Sequence, residues 1–455
     1  MVFTNYFIAR PSVSSGLQPR WAAAVLKTGI LKRFQYIPQF YSIDMTSESE
    51  TISLEKDEQQ DQQDNTVVGY IVGYLRFAAI LFIAGYLIYV ALTPPPTKPL
   101  NVPKVEGEDD EVDDSAKPFE ISALSGTTMG SIHYSVKGET DTDLKGTVQQ
   151  VLDRVDASMS TYREDSDVSK FNVSDSTDWF SVSKDTAKVV QIALDISTLT
   201  DGAFDITVGP LVDRWGFGPE EVKSPPTQEE IDEILNTVGY KHIEVRLDPP
   251  ALKKDAAAVQ IDLSAIAKGF AVDTLADELE KRGAVNYVIE VGGETRTKGE
   301  KATKKPWTVG IEIPMPGWLG EPKIQRLAHL GSQSLATSGD YHNFIEAKGI
   351  RYSHIIDPKT GWPTERPDVA SPDSSVRLGS VSVVAANCAT ADALATGLYV
   401  LGPEKGLKLA NSNNLAVLFM LREDKLEKKG PGPRFTVREV MSDSFKKLDT
   451  WLPEE

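Results

Sequence analysis

The sequence of 455 residues contains one cysteine, Cys388, and five histidines. A single cysteine excludes an intrachain disulfide framework and a cysteine-rich zinc site. Five histidines leave little material for a multi-histidine metal centre, so any bound metal is expected to take oxygen ligands, which favours magnesium or calcium. Basic residues are also few relative to acids, 48 against 66, and the net charge is −18. This balance argues against a nucleic-acid-binding protein, because the phosphate backbone needs a cationic face.

The first 43 residues contain no acid at all, but they contain five Arg and Lys residues among serines and small apolar residues. This composition is typical of an organelle transit peptide, and a disordered basic tail is the alternative. Residues 44–66 then contain eight acids and one lysine. Such a segment cannot bury a core, so it is predicted to be disordered.

Long apolar runs are rare in this chain, and the clearest one is the 26-residue stretch 67–92, whose only charged residue is Arg76. About 20 apolar residues span a bilayer, so the stretch predicts one transmembrane helix, with a buried core helix as the alternative. Three prolines at 94–96 and seven acids within 106–114 predict a solvated linker over residues 93–117. The soluble domain is therefore expected at 118–455, in a single-pass membrane protein that the basic leader directs to the mitochondrial inner membrane.

Patterns of period two and period 3.6 alternate along the soluble region. They predict strands at residues 131–137, 259–263, 287–291, 307–313 and 415–421. They predict helices at residues 142–159, 183–199, 264–283 and 390–401, and a short helix that begins with the capping box Thr227 to Glu230. Ser264 and Thr390 are the expected N-caps of two of these helices.

Two segments carry more polar chemistry than packing requires. In residues 201–205, two acids flank an aromatic residue at a glycine turn, and a purely structural turn explains this at least as well as a ligand site. In residues 262–269, a predicted strand ends in an acid and a helix follows, whose free N–H groups and positive dipole attract phosphate. Lys268, one turn into the helix, could reach the same anion. Simple capping with a surface lysine is an equal alternative.

Two later segments carry candidate catalytic and metal-binding residues. His354 precedes two isoleucines and a turn, although a lone histidine in a strand is more often structural. Asp392 and Thr396 are four residues apart, so both project from one face of a helix. A carboxylate and a hydroxyl at that spacing suit a hard cation that also keeps water and phosphate ligands. Taken alone, the segment is explained better by Thr390 capping the helix and Asp392 complementing its dipole.

These four segments, together with several short motifs, resemble the ApbE family of FAD:protein FMN transferases. The additional motifs are Met129-Gly130-Ser131 and residues 159–163, 291–294, 336–341 and 352–354. The resemblance covers about residues 120–425 and rests on the order of six or more motifs. It implies an α+β fold, ApbE-like (T-fold-like), with mixed sheets flanked by helices and FAD bound in a cleft.

The resemblance also implies an activity and a set of site residues. Family members use magnesium and FAD to transfer the FMN moiety to a Thr or Ser hydroxyl of a target flavoprotein, and they release AMP. Carried over by motif, the FAD contacts are Met129, Tyr162, Ala203, Phe204, Asp205, Asp262, Lys268 and the backbone of Ile356. Tyr162 would stack on FAD. The magnesium ligands would be Asp392, Thr396 and the backbone carbonyl of Ala265, and His354 is the candidate base for the acceptor hydroxyl.

The expected partners are FAD, an acceptor flavoprotein and the membrane, with no nucleic acid. Two other functions remain open. A FAD pyrophosphatase would use water as the acceptor, and the same site would serve both reactions. A non-catalytic, membrane-tethered flavin-binding protein would need neither His354 nor the metal ligands. The candidate residues suit transfer from FAD, because attack on a pyrophosphate needs charge neutralisation more than covalent catalysis.

Overall fold

The computed structural model describes residues 121–139, 144–219, 222, 224–316, 322–341, 344–347, 350–364, 376–424 and 435–453. Four predicted segments, which together cover residues 1–117, lie outside this part: the transit peptide, the acidic segment, the membrane helix and the linker. Among the described residues, no helix is both long enough and apolar enough to span a membrane.

The described residues form sixteen strands, numbered in chain order: β1 (Ile121–Thr128), β2 (Ile132–Glu139), β3 (Phe180–Ser181), β4 (Ile243–Leu247), β5 (Pro250–Lys254), β6 (Tyr287–Val291), β7 (Glu294–Lys298), β8 (Thr308–Glu312), β9 (Ile324–His329), β10 (Ser334–Gly339), β11 (Phe344–Ala347), β12 (Ile350–Ser353), β13 (Val376–Ala385), β14 (Ala416–Asp424), β15 (Phe435–Met441) and β16 (Thr450–Trp451). Eight of them form a sheet in the order β1-β2-β6-β7-β10-β13-β14-β15, and three smaller sheets are β3-β5-β4, β16-β9-β8 and β11-β12. All neighbouring described strands run antiparallel.

Seven α-helices lie in the described part: α1 (Leu144–Met159), α2 (Asp167–Val173), α3 (Lys184–Leu199), α4 (Gly209–Trp215), α5 (Gln228–Leu235), α6 (Ser264–Lys281) and α7 (Cys388–Ser412). Helix α6 packs on β6 and β7, and α7 packs on β10 and β13 and against α6. The main core lies between these helices and one face of the large sheet. The α+β architecture expected from the sequence is therefore confirmed.

The central strands of the large sheet are buried on both faces. Val383 belongs to the main core, whereas Val384 belongs to a second core on the other face, which Phe445 helps to fill. Val417 and Leu418 on the neighbouring strand divide in the same way. Successive strand side chains point to opposite faces, so a strand covered on both sides is apolar throughout rather than alternating.

Local sequence signals placed several elements correctly. The predicted apolar stripe of α1 is buried, with Val148, Leu152 and Val155 fully inaccessible. Thr227 and Glu230 form the predicted capping box at the start of α5. The strand expected at 287–291 is β6. Helix α6 ends at Lys281, and Gly283, two residues further on, has a φ of +90°. For the capping box and the glycine stop, residues within one turn supply the stabilising contacts.

The strand expected at residues 259–263 is wrong. Val259, Ile261 and Leu263 are buried in strand-like alternation, but the segment is irregular and pairs with no described strand. Instead, the side-chain amide of Asn172 accepts the Ile261 N–H (2.8 Å) and donates to the Ile261 carbonyl (2.9 Å). One side chain thus satisfies the backbone groups that a neighbouring strand would have satisfied.

A buried lysine fixes the start of the same segment. Lys254 is fully inaccessible, and its ammonium donates to the carbonyls of Phe171 (3.2 Å), Asn172 (3.3 Å), Ala257 (2.8 Å) and Val259 (3.1 Å). The ammonium therefore joins the end of α2 to the loop after β5. Burial lowers the pKa of Lys254 below its usual value.

The two expected serine and threonine caps are also wrong. Helix α6 has Leu263 at its N-cap position, and the Ser264 N–H donates to Asp262 Oδ1 (2.8 Å). Helix α7 is capped by Asn387, whose Oδ1 accepts the Thr390 N–H (2.9 Å). The end expected near residue 401 corresponds to a kink in α7, where Gly402 has a φ of 74°.

Candidate active site

A buried charged cluster lies where α6, β7 and α7 meet. The ammonium of Lys268 is 3.7 Å from Glu294 Oε1 and 3.8 Å from Asp392 Oδ1. The side chains of Glu294 and Asp392 are only 4% and 3% exposed. Buried charges are costly unless they are paired. Two carboxylates share one ammonium here, so the ionised cluster carries an excess negative charge that favours a further cation.

The charges in this cluster shift one another's protonation. Burial raises the pKa of Asp392, and the nearby ammonium of Lys268 opposes this shift. The pKa of Glu294 is raised well above its usual value, again mainly by burial and against the opposing effect of Lys268. Burial acts to lower the pKa of Lys268, but the charges of Asp392 and Glu294 more than offset it and raise that pKa. Lys268 is thus a permanent cation at neutral pH.

Helix α6 holds the first turn of α7 in place. Asp273 accepts the N–H groups of Cys388 and Ala389, both at 2.9 Å, and it also accepts Arg296 Nη1 at 2.6 Å. A Cβ atom on Gly269 would lie 2.5 Å from the Cys388 carbonyl oxygen, so only glycine permits this close approach. The Gly269 N–H then donates to Asp392 Oδ2 (3.0 Å). These contacts fix the position of Asp392 relative to Lys268.

Thr396 lies one turn beyond Asp392 on α7. Its hydroxyl is 2.8 Å from the Ser338 hydroxyl on β10. Ala265 lies in the first turn of α6, beside Ser264, whose carbonyl accepts the Lys268 ammonium at 3.5 Å. In the described part of the chain, no three His, Cys, Asp or Glu side chains are grouped so that they could hold a metal ion. A cation site here would therefore need hydroxyl and carbonyl oxygens beside the carboxylate.

Two motif turns lie against this cluster. The turn at residues 129–131 joins β1 to β2, and Met129 has the left-handed φ of 46°. The Gly292 N–H donates to the His133 carbonyl (2.8 Å), which joins β2 to the Gly292-Gly293 turn. A Cβ atom on Gly292 would lie 3.0 Å from Lys268 Cδ. The structure thus brings the Met129 motif, the glycine turn and Lys268 into one region.

Tyr162 and Asp262 lie by a second feature, a cleft of about 170 Å³. The cleft is lined by Thr161 after α1 and by residues of α2, α4 and the segment that precedes α6, among them Asn172, Asp213 and Asp262. Tyr162 is 69% exposed. Partial burial and the charges of Asp262 and Asp213 raise the pKa of Tyr162. Because most of Tyr162 is exposed, its ring is accessible to a planar ligand.

The side chains of residues 203–205 are engaged within the protein. Asp205 Oδ1 accepts the N–H (2.8 Å) and hydroxyl (2.6 Å) of Thr207, and Oδ2 accepts the Tyr240 N–H (2.6 Å). Ala203 and Phe204 are buried, and Phe204 packs against Gly397 of α7. The side chains support the structural interpretation of this turn, so a ligand contact here would have to involve backbone groups.

His354 and Ile356 belong to the segment that follows β12. The imidazole lies edge-on to Phe217, with ring centroids 6.2 Å apart. Ile356 is buried in a small core with Leu211 and Ile231. In the turn beyond it, the Lys359 ammonium is 2.7 Å from Asp201 Oδ2. This ion pair joins the His354 segment to the turn at 201–205.

Comparison with known proteins identifies the family. A family model described as the ApbE family matches residues 126–419. The chain belongs to the ApbE family. The FAD:protein FMN transferase of Vibrio cholerae serotype O1 is 42% identical over 315 residues, which are 68% of this chain and 90% of that protein. The FAD:protein FMN transferase of Escherichia coli K12 is 38% identical over 323 residues, 70% of this chain and 88% of that protein.

Solved structures of ApbE proteins resemble the described fold. The flavin transferase ApbE from Vibrio cholerae superposes with a TM-score of 0.62 at 38% identity, covering 73% of this chain and all of that chain (100%). The apo form of the Pseudomonas stutzeri flavinyl transferase ApbE gives a TM-score of 0.60 at 34% identity, covering 72% and 96%. The resemblance inferred from the motif order is thereby confirmed.

The motifs that carried the resemblance include Lys268 and Asp392, but sequence reasoning missed other residues of this cluster. Glu294 and Ser338 lie inside motifs that carried the resemblance, yet no role was assigned to them. Asp273 was missed altogether. Its only signal was an acid within a mostly apolar stretch of α6, from Phe270 to Leu275. A charged residue in the apolar interior of a helix indicates a buried partner, which here is Arg296 together with the first turn of α7.

Proposed function

We propose that this chain transfers the FMN moiety of FAD to a Thr or Ser hydroxyl of a target flavoprotein and releases AMP. The observation that carries the proposal is the buried cluster of Lys268, Glu294 and Asp392, built by family motifs at the start of α6 and on the facing helix α7. This chain aligns with 88–90% of the length of three relatives, and all three are named FAD:protein FMN transferase.

Magnesium fits the oxygen atoms present. The cluster has two carboxylates for one ammonium, and in the described part of the chain Glu294 Oε2 is buried without a hydrogen-bond partner. Asp392, Thr396 and the backbone carbonyl of Ala265 are the residues that would hold the ion, and oxygen donors of this kind suit a hard cation. When bound, magnesium supplies charge neutralisation at the pyrophosphate.

The remaining roles are assigned to this chain's own residues. Lys268 and the N-terminal turn of α6 attract the phosphates of FAD. The exposed ring of Tyr162 stacks on a ring of FAD, and Asp262, Met129, residues 203–205 and the Ile356 backbone line the FAD site. The substrate is thereby held in one orientation for in-line attack.

His354 acts as the general base. The acceptor hydroxyl oxygen bonds to the FMN phosphorus, and its proton passes to the imidazole. The bond between that phosphorus and the bridging oxygen breaks, and AMP leaves with the bridging oxygen. A histidine that is neutral near pH 7 suits this proton transfer.

Incubation of the full-length chain with FAD, magnesium and the flavoprotein acceptor of the Vibrio cholerae relative tests the proposal. Covalent flavin on the acceptor, seen as fluorescence in a denaturing gel, is the expected result. Free FMN and AMP without labelled acceptor would indicate a FAD pyrophosphatase instead. Unchanged FAD would indicate a non-catalytic flavin-binding protein.

The location of the chain is a separate proposal. We propose a single-pass membrane protein, anchored by residues 67–92 and placed in the mitochondrial inner membrane by its acid-free leader. The support is the composition of residues 1–92, which the family match does not include. Import of a reporter protein that carries residues 1–43 into isolated mitochondria tests the location, and a reporter left outside would contradict it.

A further inference from the structure

Glu294 is a buried acid for which the proposed reaction has so far supplied no role. It is the first residue of β7, directly after the Gly292-Gly293 turn, where both glycines have positive φ values of 64° and 103°. Glu294 Oε1 faces Lys268 at 3.7 Å, and Oε2 is buried without a hydrogen-bond partner among the described residues. An unsatisfied buried carboxylate oxygen costs free energy, so its retention needs an explanation.

The surroundings of Glu294 match a cation more closely than a structural hydrogen bond. Lys268 lies within 4 Å of both Glu294 and Asp392, so the two carboxylates flank a single positive group. Asp392 Oδ2 accepts the Gly269 N–H, whereas Glu294 Oε2 has no hydrogen-bond partner among the residues that the structure describes. A Cβ atom on Gly292 would lie 3.5 Å from Glu294 Oε2 and 3.0 Å from Lys268 Cδ, so the glycine keeps this space open.

We propose that Glu294 belongs to the cation site and supplies a second carboxylate charge to the divalent ion assigned to Asp392, Thr396 and the Ala265 carbonyl. The inference rests on the proposed function, because it concerns the same ion. A second carboxylate raises affinity for a hard divalent cation. The unpartnered oxygen Oε2 is then the atom that interacts with the ion, directly or through one of its waters.

Cation binding by Glu294 can be distinguished from an indirect role through Lys268. Glu294 could act only through Lys268, by holding the ammonium in place. In that case, removal of the Glu294 charge has no effect on cation affinity once Lys268 is absent. A cation-binding role predicts that the effect persists without Lys268. The two roles therefore separate in a double-mutant comparison.

The experiment measures Mn²⁺ binding to the full-length chain in detergent from the loss of the free Mn²⁺ electron paramagnetic resonance signal. Titrations are made with Mn²⁺ alone and with Mn²⁺ plus ADP, whose pyrophosphate cannot donate a flavin. The variants are Glu294→Gln, Asp392→Ala, Lys268→Met and the double variant Lys268→Met with Glu294→Gln. Glu290→Gln is the matched control, because Glu290 precedes the same turn and accepts the Gly293 N–H (2.8 Å).

Glu294→Gln is expected to raise the Mn²⁺ dissociation constant about tenfold or more, in both the native and the Lys268→Met background. Glu290→Gln should leave the constant unchanged. Should Glu294→Gln bind Mn²⁺ with native affinity, or should its effect vanish without Lys268, the inference is wrong. If Glu294→Gln does not fold, Glu294→Asp replaces it, since a shortened carboxylate should also weaken binding and native affinity would overturn the role.

Asp392→Ala separates this inference from the proposed function. Weakened Mn²⁺ binding in Asp392→Ala with native binding in Glu294→Gln would leave the cation site in place and remove only Glu294 from it. Native binding in both variants would overturn the assignment of the ion itself.

Discussion

Asp392 uses one carboxylate oxygen for the Gly269 N–H and directs the other towards Lys268. Asp392→Ala removes one of the two carboxylates assigned to the magnesium ion, the other being Glu294. The magnesium concentration for half-maximal FAD turnover should rise about 10–100-fold, the range found when the partners of metal ligands are removed. High magnesium should restore part of the rate, since Thr396, the Ala265 carbonyl and Glu294 remain. The measurement is flavin transfer against magnesium concentration, and a native rate in limiting magnesium would contradict the assignment.

His354 lies apart from that cluster in the chain, on the segment after β12 and against Phe217. His354→Ala should slow flavin transfer by about 10²–10⁴-fold, the usual contribution of a positioned general base. FAD and magnesium binding should stay nearly native. The deficit should shrink at high pH, because more of the acceptor hydroxyl ionises without help.

Fluorescence quenching by the protein during FAD titration gives the binding constant of His354→Ala, and in-gel flavin fluorescence gives its transfer rate against pH. A variant that no longer binds FAD would show that the histidine is structural or a ligand contact. The base assignment would then be wrong.

At the scale of secondary structure, the link between α6 and α7 controls where Asp392 lies. Asp273→Asn keeps the shape of the side chain but removes its negative charge. That charge pairs with Arg296, and the carboxylate oxygens accept two N–H groups of α7. Hydrogen bonds to charged groups contribute about 1.5–3 kcal/mol, so the free energy of unfolding should fall by roughly that amount. Urea unfolding followed by tryptophan fluorescence measures the change.

Glu278→Gln on the same helix is the control for Asp273→Asn. It breaks an exposed pair with Arg282 at 3.3 Å, and such pairs contribute about 0.3–0.5 kcal/mol. Equal losses in the two variants would show that the Asp273 contacts add nothing specific.

The loop before α6 depends on Lys254 in a comparable way. Lys254→Met keeps the length of the side chain but leaves four carbonyls without their shared donor. The free energy of unfolding should fall by about 1–3 kcal/mol or more. Lys253→Met is the matched control on the adjacent residue, where an exposed pair with Glu244 at 2.9 Å should contribute less than about 1 kcal/mol. Urea unfolding compares the two, and a smaller loss in Lys254→Met would contradict this role.

Elements stabilised by near neighbours were predictable, and those stabilised by distant ones were not. The periodic stripe of α1 and the capping box of α5 are each visible within one short stretch of sequence, so their sequence patterns were sufficient. Residues 259–263 alternate like a strand, but their backbone partner is the side chain of Asn172, 89 positions away at Ile261. No local pattern distinguishes that side chain from a neighbouring strand.

At the scale of the whole molecule, the candidate site is assembled from segments that the fold alone brings together. Gly269 and Asp392 are 123 positions apart in the chain, yet they share a hydrogen bond. Motif order predicted that Lys268 and Asp392 serve one site, because the resemblance carried both. It could not predict that Glu294 would lie in contact with Lys268, since that depends on how β7 meets α6.

The predicted membrane anchor also concerns the whole molecule, and it precedes the residues that the family match covers. Residues 67–92 contain one charged residue, Arg76, which costs about 2.5–3.5 kcal/mol at the centre of a membrane helix and less near its end. The favourable insertion free energy of the surrounding apolar residues should exceed that cost. Full-length protein should therefore remain in the membrane pellet after alkaline carbonate washing and enter the supernatant only with detergent. A variant without residues 67–92 should be released by carbonate alone. Release of the full-length chain by carbonate would contradict the anchor, and a pellet that resists detergent would indicate aggregation rather than insertion.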